Sequence, residues 1–357
     1  MIEEAIQASY ISAVSPISTN QIQPASLDLR LDRVAYRVRA SFLSGPQSTV
    51  QDRIDDLKLY ELDLSSPVVF EQGCVYIVPL MEQLRLPAHL SAKANPKSST
   101  GRLDVFARVL TDYGSQFEHV PPGYKGRLFT EIVPRTFSIR VRQGSALNQL
   151  RLIRGNPTPS DVTLANLHEA EALVYGPDRS PAEARISKGL TVSISLAPEP
   201  GSELVGYRAK RDPPLIDLDQ RNHYDPREFW EPLILSMSRS LVLSPEEFYV
   251  LASRERISIP PEYAAEMVPY DPALGEFRAH YAGFLDPGFG YGDGMRGTPA
   301  VLQVRSHEVP FLLEHGQLIG TLAFERLLAR PDRLYGSQIG SSYQQQHLSL
   351  GKQFRRA

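Results

Sequence analysis

Glu131, in "GRLFTEIVPR", and the run "NPKSSTGRLDVF", residues 95 to 106, bring together side chains from which a reaction centre can be built. Read as a strand, the first stretch puts Leu128, Thr130 and Ile132 on one face and Phe129 with Glu131 on the other. A carboxylate beside apolar neighbours is costly unless it is paired or functional. Two readings stand: a salt bridge on an outward face, to Arg127 or Arg102, or a general acid/base working against a nearby guanidinium. The second stretch sets Ser98, Ser99 and Arg102 on one turn. Either serine can cap a helix, and the same amides, two hydroxyls and a guanidinium also suit a phosphate or a water.

Other chemistries find little support. The eight histidines are scattered, with no HExxH and no HxE followed by PCxxC, so the zinc deaminase signature is absent. There is no GxxxxGK[ST] loop and no GxSxG elbow. The single cysteine, Cys74, excludes an intrachain disulfide and reads as a small core residue. With 38 basic and 41 acidic residues the net charge is −3, so nothing global attracts nucleic acid or an anionic membrane. The opening "MIEEAIQASYISAV" has acids where a signal peptide needs a basic region, and no apolar run reaches the roughly 18 residues of a membrane span. A cytoplasmic protein with neither nucleic-acid nor membrane partners is expected.

The elements that must position these residues are mostly strands. Short alternating runs such as "FSIRVR", "TVSISL" and "AVLQVR" are punctuated by 29 prolines and 24 glycines. Helices are expected near the N-terminus, from about Thr100 to Tyr113, and at "PREFWEPL". An internal repeat organises the whole: "YIVPLMEQLRLPAHLSA" (76 to 92) matches "YVLASRERISIPPEYAA" (249 to 265), "VPPGYKG" answers "LDPGFGY", and "RQGSALNQLRL" answers "EHGQLIGTLAF". Within it Glu131 corresponds to Gln303, Ser98 to Asp271 and Arg102 to Gly275, which pairs an active copy with a degenerate one or reflects surface drift. The expected layout is a catalytic copy over 1–165, a linker over 166–215 around the Pro/Gly-rich "PEPGSE" and "KRDPPL", and a second copy over 216–357. The tail "YGSQIGSSYQQQHLSLGKQF" is either a flexible polar tail or a lid closing on phosphates.

In this order the motifs resemble the metal-free dCTP deaminases, relatives of the trimeric dUTPases. They are "SLDLRL" (26 to 31), "KSSTGR" (97 to 102), "PPGYKG" (121 to 126), "FTE" (129 to 131), "QGSALNQLRL", and a tail with Tyr335 followed by "SYQQQ". The resemblance implies a mainly β, dUTPase-like (β-clip) domain duplicated in tandem. It further implies that Glu131 shuttles protons, that Ser98 holds the water and that Arg102 lies beside the glutamate. Lys97, Ser99, Thr100, Gly101, Phe129, Thr130, Asp286, Tyr335, Tyr343, Gln346 and Lys352 would bind substrate. Magnesium would enter on the triphosphate, with no zinc, and the chain would self-associate as a homo-oligomer with trimer-type interfaces.

Three positions depart from the family pattern. Lys97 replaces an arginine, keeping the charge but not a bidentate fork. Pro121 replaces the aspartate of the "DPG" turn, which survives as Asp286 in the second copy, and Ser342 stands at the tail lysine. The implied reaction is dCTP and water to dUTP and ammonia. The alternatives are a dUTP diphosphatase, a bifunctional enzyme that cuts on to dUMP, and a non-catalytic nucleotide-binding module.

Overall fold

Strand order in this chain runs through the same pattern twice, as the repeat predicts. The computed structural model describes all residues except 236–238, 269–276, 281–282, 293, 307, 337–347 and 357, and the strand 277–280 by its backbone alone. One unit comprises Met1–Asn156 with Asp212–His223, the other Pro157–Arg211 with Tyr224–Ala357. Labels below follow chain order.

The first unit holds β1 (Ile11–Ala13), β2 (Leu27–Arg30), β3 (Val34–Val38), β4 (Lys58–Asp63), β5 (Val68–Phe70), β6 (Val75–Arg85), β7 (Ser91–Pro96), β8 (Val105–Thr111), β9 (His119–Val120), β10 (Lys125–Pro134), β11 (Ile139–Val141) and β12 (Ala146–Ile153). One sheet runs β4-β3-β6-β10-β8 with β1 on β6, and another runs β2-β12-β7-β9. The pair β5–β11 gains β16 (Ile216–Asp217), parallel to β11. Residues 76 to 82, near the middle of β6, are buried without alternation, as befits a strand covered on both faces. Pro79 interrupts it. With no N–H to offer, it faces Phe129 beside a register shift between Arg127 and Phe129.

Helices here are α1 (Ile2–Gln7), α2 (Val50–Leu57) and α3 (Ser98–Gly101). The Thr49 hydroxyl accepts from Asp52 N at 3.1 Å and the Asp52 carboxylate from Thr49 N at 2.8 Å, a reciprocal cap that starts α2. Val50 and Ile54 then pack with Val38, Ile77, Leu110 and Phe129. The helix expected over 100 to 113 is a correction. One turn forms, Asp104 takes a φ of +52°, and β8 begins. Its "VFARVLT" carries two β-branched valines and alternates at the strand period, so it pairs with β10 instead of continuing the helix.

The second unit repeats the plan with α4 (Asp161–Ala170), β13 (Val174–Tyr175), β14 (Leu190–Ser195), β15 (Leu204–Ala209), α5 (Pro226–Phe229), β17 (Trp230–Ile234), β18 (Ser240–Leu243), β19 (Phe248–Ile257), β20 (Tyr263–Val268), β21 (Phe277–His280), β22 (Phe284–Leu285), β23 (Thr298–Ser306), β24 (Phe311–Glu314) and β25 (Leu318–Arg326). Its ladders run β17-β15-β19-β23-β21 with β13 on β19, β14-β25-β20-β22, and β18–β24. The stretch 166–215, expected as a linker, therefore holds β13, β14 and β15, which occupy the places of β1, β2 and β3. The shared residues there are few: Tyr207 and Arg208 of β15 take the register of Tyr36 and Arg37 of β3 on the central strand. At the C-terminus Phe354 is buried and stacks edge-on to Phe229 and Trp230, so the end of the tail is packed down. The segment 337–347 lies outside the described residues. Among those residues no helix is long and apolar enough to cross a membrane.

Candidate active site

Glu131 lies in the middle of β10, opposite Ile77 of β6 on one side and Arg108 of β8 on the other. Strand alternation turns Thr130 toward the second sheet, where its hydroxyl donates to Asn148 Oδ1 at 2.8 Å, and turns Glu131 the other way, with Phe129, toward the face that α2 covers. The Glu131 side chain is fully buried, 0% exposed. Its Oε1 accepts from Arg108 Nε at 3.1 Å and from Arg108 Nη2 at 2.5 Å. Its Oε2, equally buried, meets no donor among the described residues. Arg108 lies over the Phe117 ring, 3.8 Å from its centroid, so the guanidinium is fixed on its second side as well.

This departs from the sequence reading at one point. The guanidinium beside Glu131 belongs to Arg108, not to Arg102 or Arg127; Arg127 pairs with Asp32 at 3.1 Å. Sequence reasoning missed Arg108 because its place opposite the carboxylate follows from register between strands. The one available signal was that Arg108 shares its strand face with Phe106 and Leu110, where a charge calls for a partner.

The run 97 to 102 folds as one local unit. Lys97 is the N-cap of α3, Ser98 and Ser99 open the helix instead of capping it, and Arg102 follows it. Thr100 N and Gly101 N both donate to Lys97 O, at 2.8 and 3.0 Å, and the Thr100 hydroxyl donates to Leu147 O at 2.9 Å. Lys97 forms an ion pair with Asp28 of "SLDLRL". Ser99, Thr100, Gly101 and Arg102 are buried, and Ser98 is half-buried. Because Leu147 and Asp28 belong to the second sheet, α3 stands on the Thr130 side of β10 and Glu131 points to the opposite side.

Of the other expected residues, Phe129 packs in the core and Thr130 gives its hydroxyl to Asn148. Asp286, Tyr335 and Lys352 belong to the second unit. Asp286 is buried in the turn before Pro287, whose carbonyl accepts from Tyr335 N at 2.9 Å. Tyr335 packs 6.0 Å from Phe289, centroid to centroid. Tyr343, Gln346 and Ser342 lie outside the described residues, as do Asp271 and Gly275. In the second copy Gln303 faces Val250 and His280 as Glu131 faces Ile77 and Arg108, and Leu302 follows in the place of Thr130. No group of three or more His, Cys, Asp or Glu side chains among the described residues is arranged to hold a metal ion.

Comparison with known proteins agrees with this division. The 2'-deoxycytidine 5'-triphosphate deaminase (DCD) N-terminal domain family matches residues 1–156, and the C-terminal domain family matches residues 160–354. The crystal structure of 2'-deoxycytidine 5'-triphosphate deaminase from Agrobacterium tumefaciens is 49% identical, covers 92% of this chain and 97% of its own, and superposes with a TM-score of 0.87. Curated relatives include proteins from Nanoarchaeum equitans and Parafrankia, each named "dCTP deaminase, dUMP-forming" and each 28% identical. These alignments cover 45% and 50% of this chain and 84% of either relative. With both halves matched in order and a near full-length structural counterpart, the chain belongs to the 2'-deoxycytidine 5'-triphosphate deaminase family.

Proposed function

We propose that the chain is a hydrolase that deaminates dCTP, with Glu131 as its proton shuttle. The observation that carries this reading is the asymmetry of one buried carboxylate: Oε1 is anchored by Arg108 and Oε2 has no donor among the described residues. An unmet buried acceptor costs about 1–3 kcal/mol, so the fold alone does not favour leaving Oε2 in this state. In the reaction, Oε2 takes a proton from water as the water oxygen bonds to C4 of the cytosine ring. Glu131 passes that proton to the ring nitrogen N3. It then carries the remaining hydroxyl proton to the amino group, and the C4–N bond breaks to release ammonia, so that dCTP and water become dUTP and ammonia. Family membership and the names of the relatives support the substrate.

Ser98 would hold the water and Arg102 the neighbouring charge. Since their turn and Glu131 lie on opposite sides of β10, these groups would come from a second copy of the chain, making the enzyme a homo-oligomer with shared sites. Magnesium would arrive bound to the triphosphate oxygens, with Lys97, Ser99 and Gly101 near the phosphates. Asp286, Tyr335, Tyr343, Gln346 and Lys352 would close the second side. A bifunctional enzyme that continues to dUMP is the second reading, favoured by the names of the curated relatives. Pro121, where that chemistry wants an aspartate, favours dUTP as the product.

The deciding experiment is ammonia release and product identification with dCTP and magnesium after chelator treatment, for wild type and Glu131→Gln side by side. Wild type is expected to form ammonia and dUTP, and the variant to be about 10²–10⁴-fold slower. Inorganic pyrophosphate with dUMP would install the bifunctional reading. Equal rates in the two proteins would remove Glu131 from the mechanism.

A further inference from the structure

One glutamate is served differently in the two copies. In the first, Glu82 is fully buried; its Oε2 accepts from Arg30 N and its Oε1 from Arg30 Nε, both at 2.8 Å, and Oε1 also accepts from Gln21 Nε2 at 3.0 Å. Three more guanidinium hydrogens of Arg30 go to Ser15 Oγ at 3.0 Å, Ser15 O at 2.9 Å and Pro16 O at 3.1 Å.

The second copy can be placed on the first through its ladders. Ile11 faces Leu84 as Val174 faces Ile257, and Leu27 faces Leu150 as Leu190 faces Leu322. The intervening spacing is the same in both, so Ser193 stands at the position of Arg30 and Asp178 at that of Ser15. Glu255, the successor of Glu82, keeps the backbone bond, with Ser193 N donating to Oε2 at 2.8 Å. Its Oε1 receives only the Ser193 hydroxyl, at 2.6 Å, and no cation pairs with it among the described residues. A cavity of about 310 Å³ adjoins it, lined by Ser193, Glu255, Asp178 and Glu183 together with Arg185 and Arg254. Three carboxylates against two guanidinium groups leave the lining with one net negative charge. Asp178 is held ionised by hydrogen bonds from the Ser180 hydroxyl and amide, which set its carboxyl below the usual range.

We propose that this cavity binds a small guanidinium compound, whose planar N–H fork would take the place on Glu255 Oε1 that Arg30 Nε holds on Glu82, with Asp178 replacing Ser15 as the second acceptor. A guanidinium suits the place better than an ammonium. It offers parallel donors to two acceptors and is the more weakly hydrated cation, so it gives up less on entering. The volume is close to the lower bound of small-molecule pockets, about 300 Å³. The site lies within the second unit and is independent of the reaction proposed for Glu131.

Calorimetric titration of the full chain with methylguanidinium, beside methylammonium and urea at matched ionic strength, tests the site. One saturable site is expected, with methylguanidinium the tightest of the three. Glu255→Gln should weaken it at least about tenfold. Ser193→Arg rebuilds the arrangement of the first copy and should abolish binding while raising the melting temperature. Should Glu255→Gln not fold, Asp178→Asn and Ser193→Arg decide. Absence of saturable binding, equal binding of methylammonium, or binding that persists in Ser193→Arg overturns the proposal.

Discussion

Arg108 is the residue on which the orientation of Glu131 depends. Its Nε and Nη2 both reach Oε1, which leaves Oε2 without a donor among the described residues. Arg108→Ala should therefore lower kcat for dCTP deamination with a smaller change in KM, because the carboxylate loses alignment while the phosphate contacts stay. Arg108→Lys should recover only part of kcat, since one ammonium cannot reproduce two donors held on a fixed fork. Steady-state kinetics of the two variants provide the check. An unchanged kcat in Arg108→Ala would show that Arg108 is a surface counter-charge only.

At the scale of elements, the duplicated plan carries a duplicated lock. Glu71 N donates to the Tyr76 hydroxyl at 3.1 Å, and Ser244 N donates to the Tyr249 hydroxyl at 3.0 Å, each at the turn leading into the central strand. Burial pushes the Tyr76 hydroxyl up to about 12. Tyr76→Phe is expected to cost about 1 kcal/mol, the net worth of one hydrogen bond, and Tyr249→Phe more, because the Tyr249 hydroxyl also donates to Glu247 Oε2 at 2.9 Å. Urea unfolding reads both; a neutral result in either would mean water replaces the hydroxyl there. The hairpin that joins β24 and β25 carries a pH signal. His315 Nδ1 accepts from Leu196 N at 3.0 Å, and burial, with Arg254 and Arg239 close by, holds its imidazole below the ordinary 6.5. A depressed folded-state value means the unfolded chain binds the proton more readily. The stabilisation is complete above about pH 6.5 and is lost as pH falls through the lower folded-state value. Between pH 7.5 and 5.5, roughly the window of histidine titration, His315→Gln should lose less stability than wild type. Identical pH slopes would exclude His315 as the source.

For the whole molecule, the central expectation is that one site draws on two chains. Glu131→Gln and Arg102→Ala would each be inactive alone. Co-expressed and co-purified with different tags, they should regain part of the wild-type rate, because some mixed sites would hold both an intact Glu131 and an intact Arg102. Mixed oligomers without any activity would place both residues in one chain's own site and refute the shared-site arrangement.

Much of this was readable along the chain. The tandem repeat, the alternating strands, the turn over 97 to 102 and the side of β10 on which Glu131 lies are local or periodic properties, carried by spacing within one or two elements. What failed to show were features that depend on which distant segments become neighbours. The 105 to 111 run became a strand because β10 offered it a ladder, and 166 to 215 became part of a domain because β14 and β15 found β25 and β19. Sequence singled out Glu131 as a costly carboxylate and gave it the nearest motif arginine. Tertiary structure gave it Arg108, because register between strands, not distance along the chain, decides which charges meet. The same holds for the cavity beside Glu255: a serine in place of an arginine is a silent difference until the fold shows what the missing side chain would have filled.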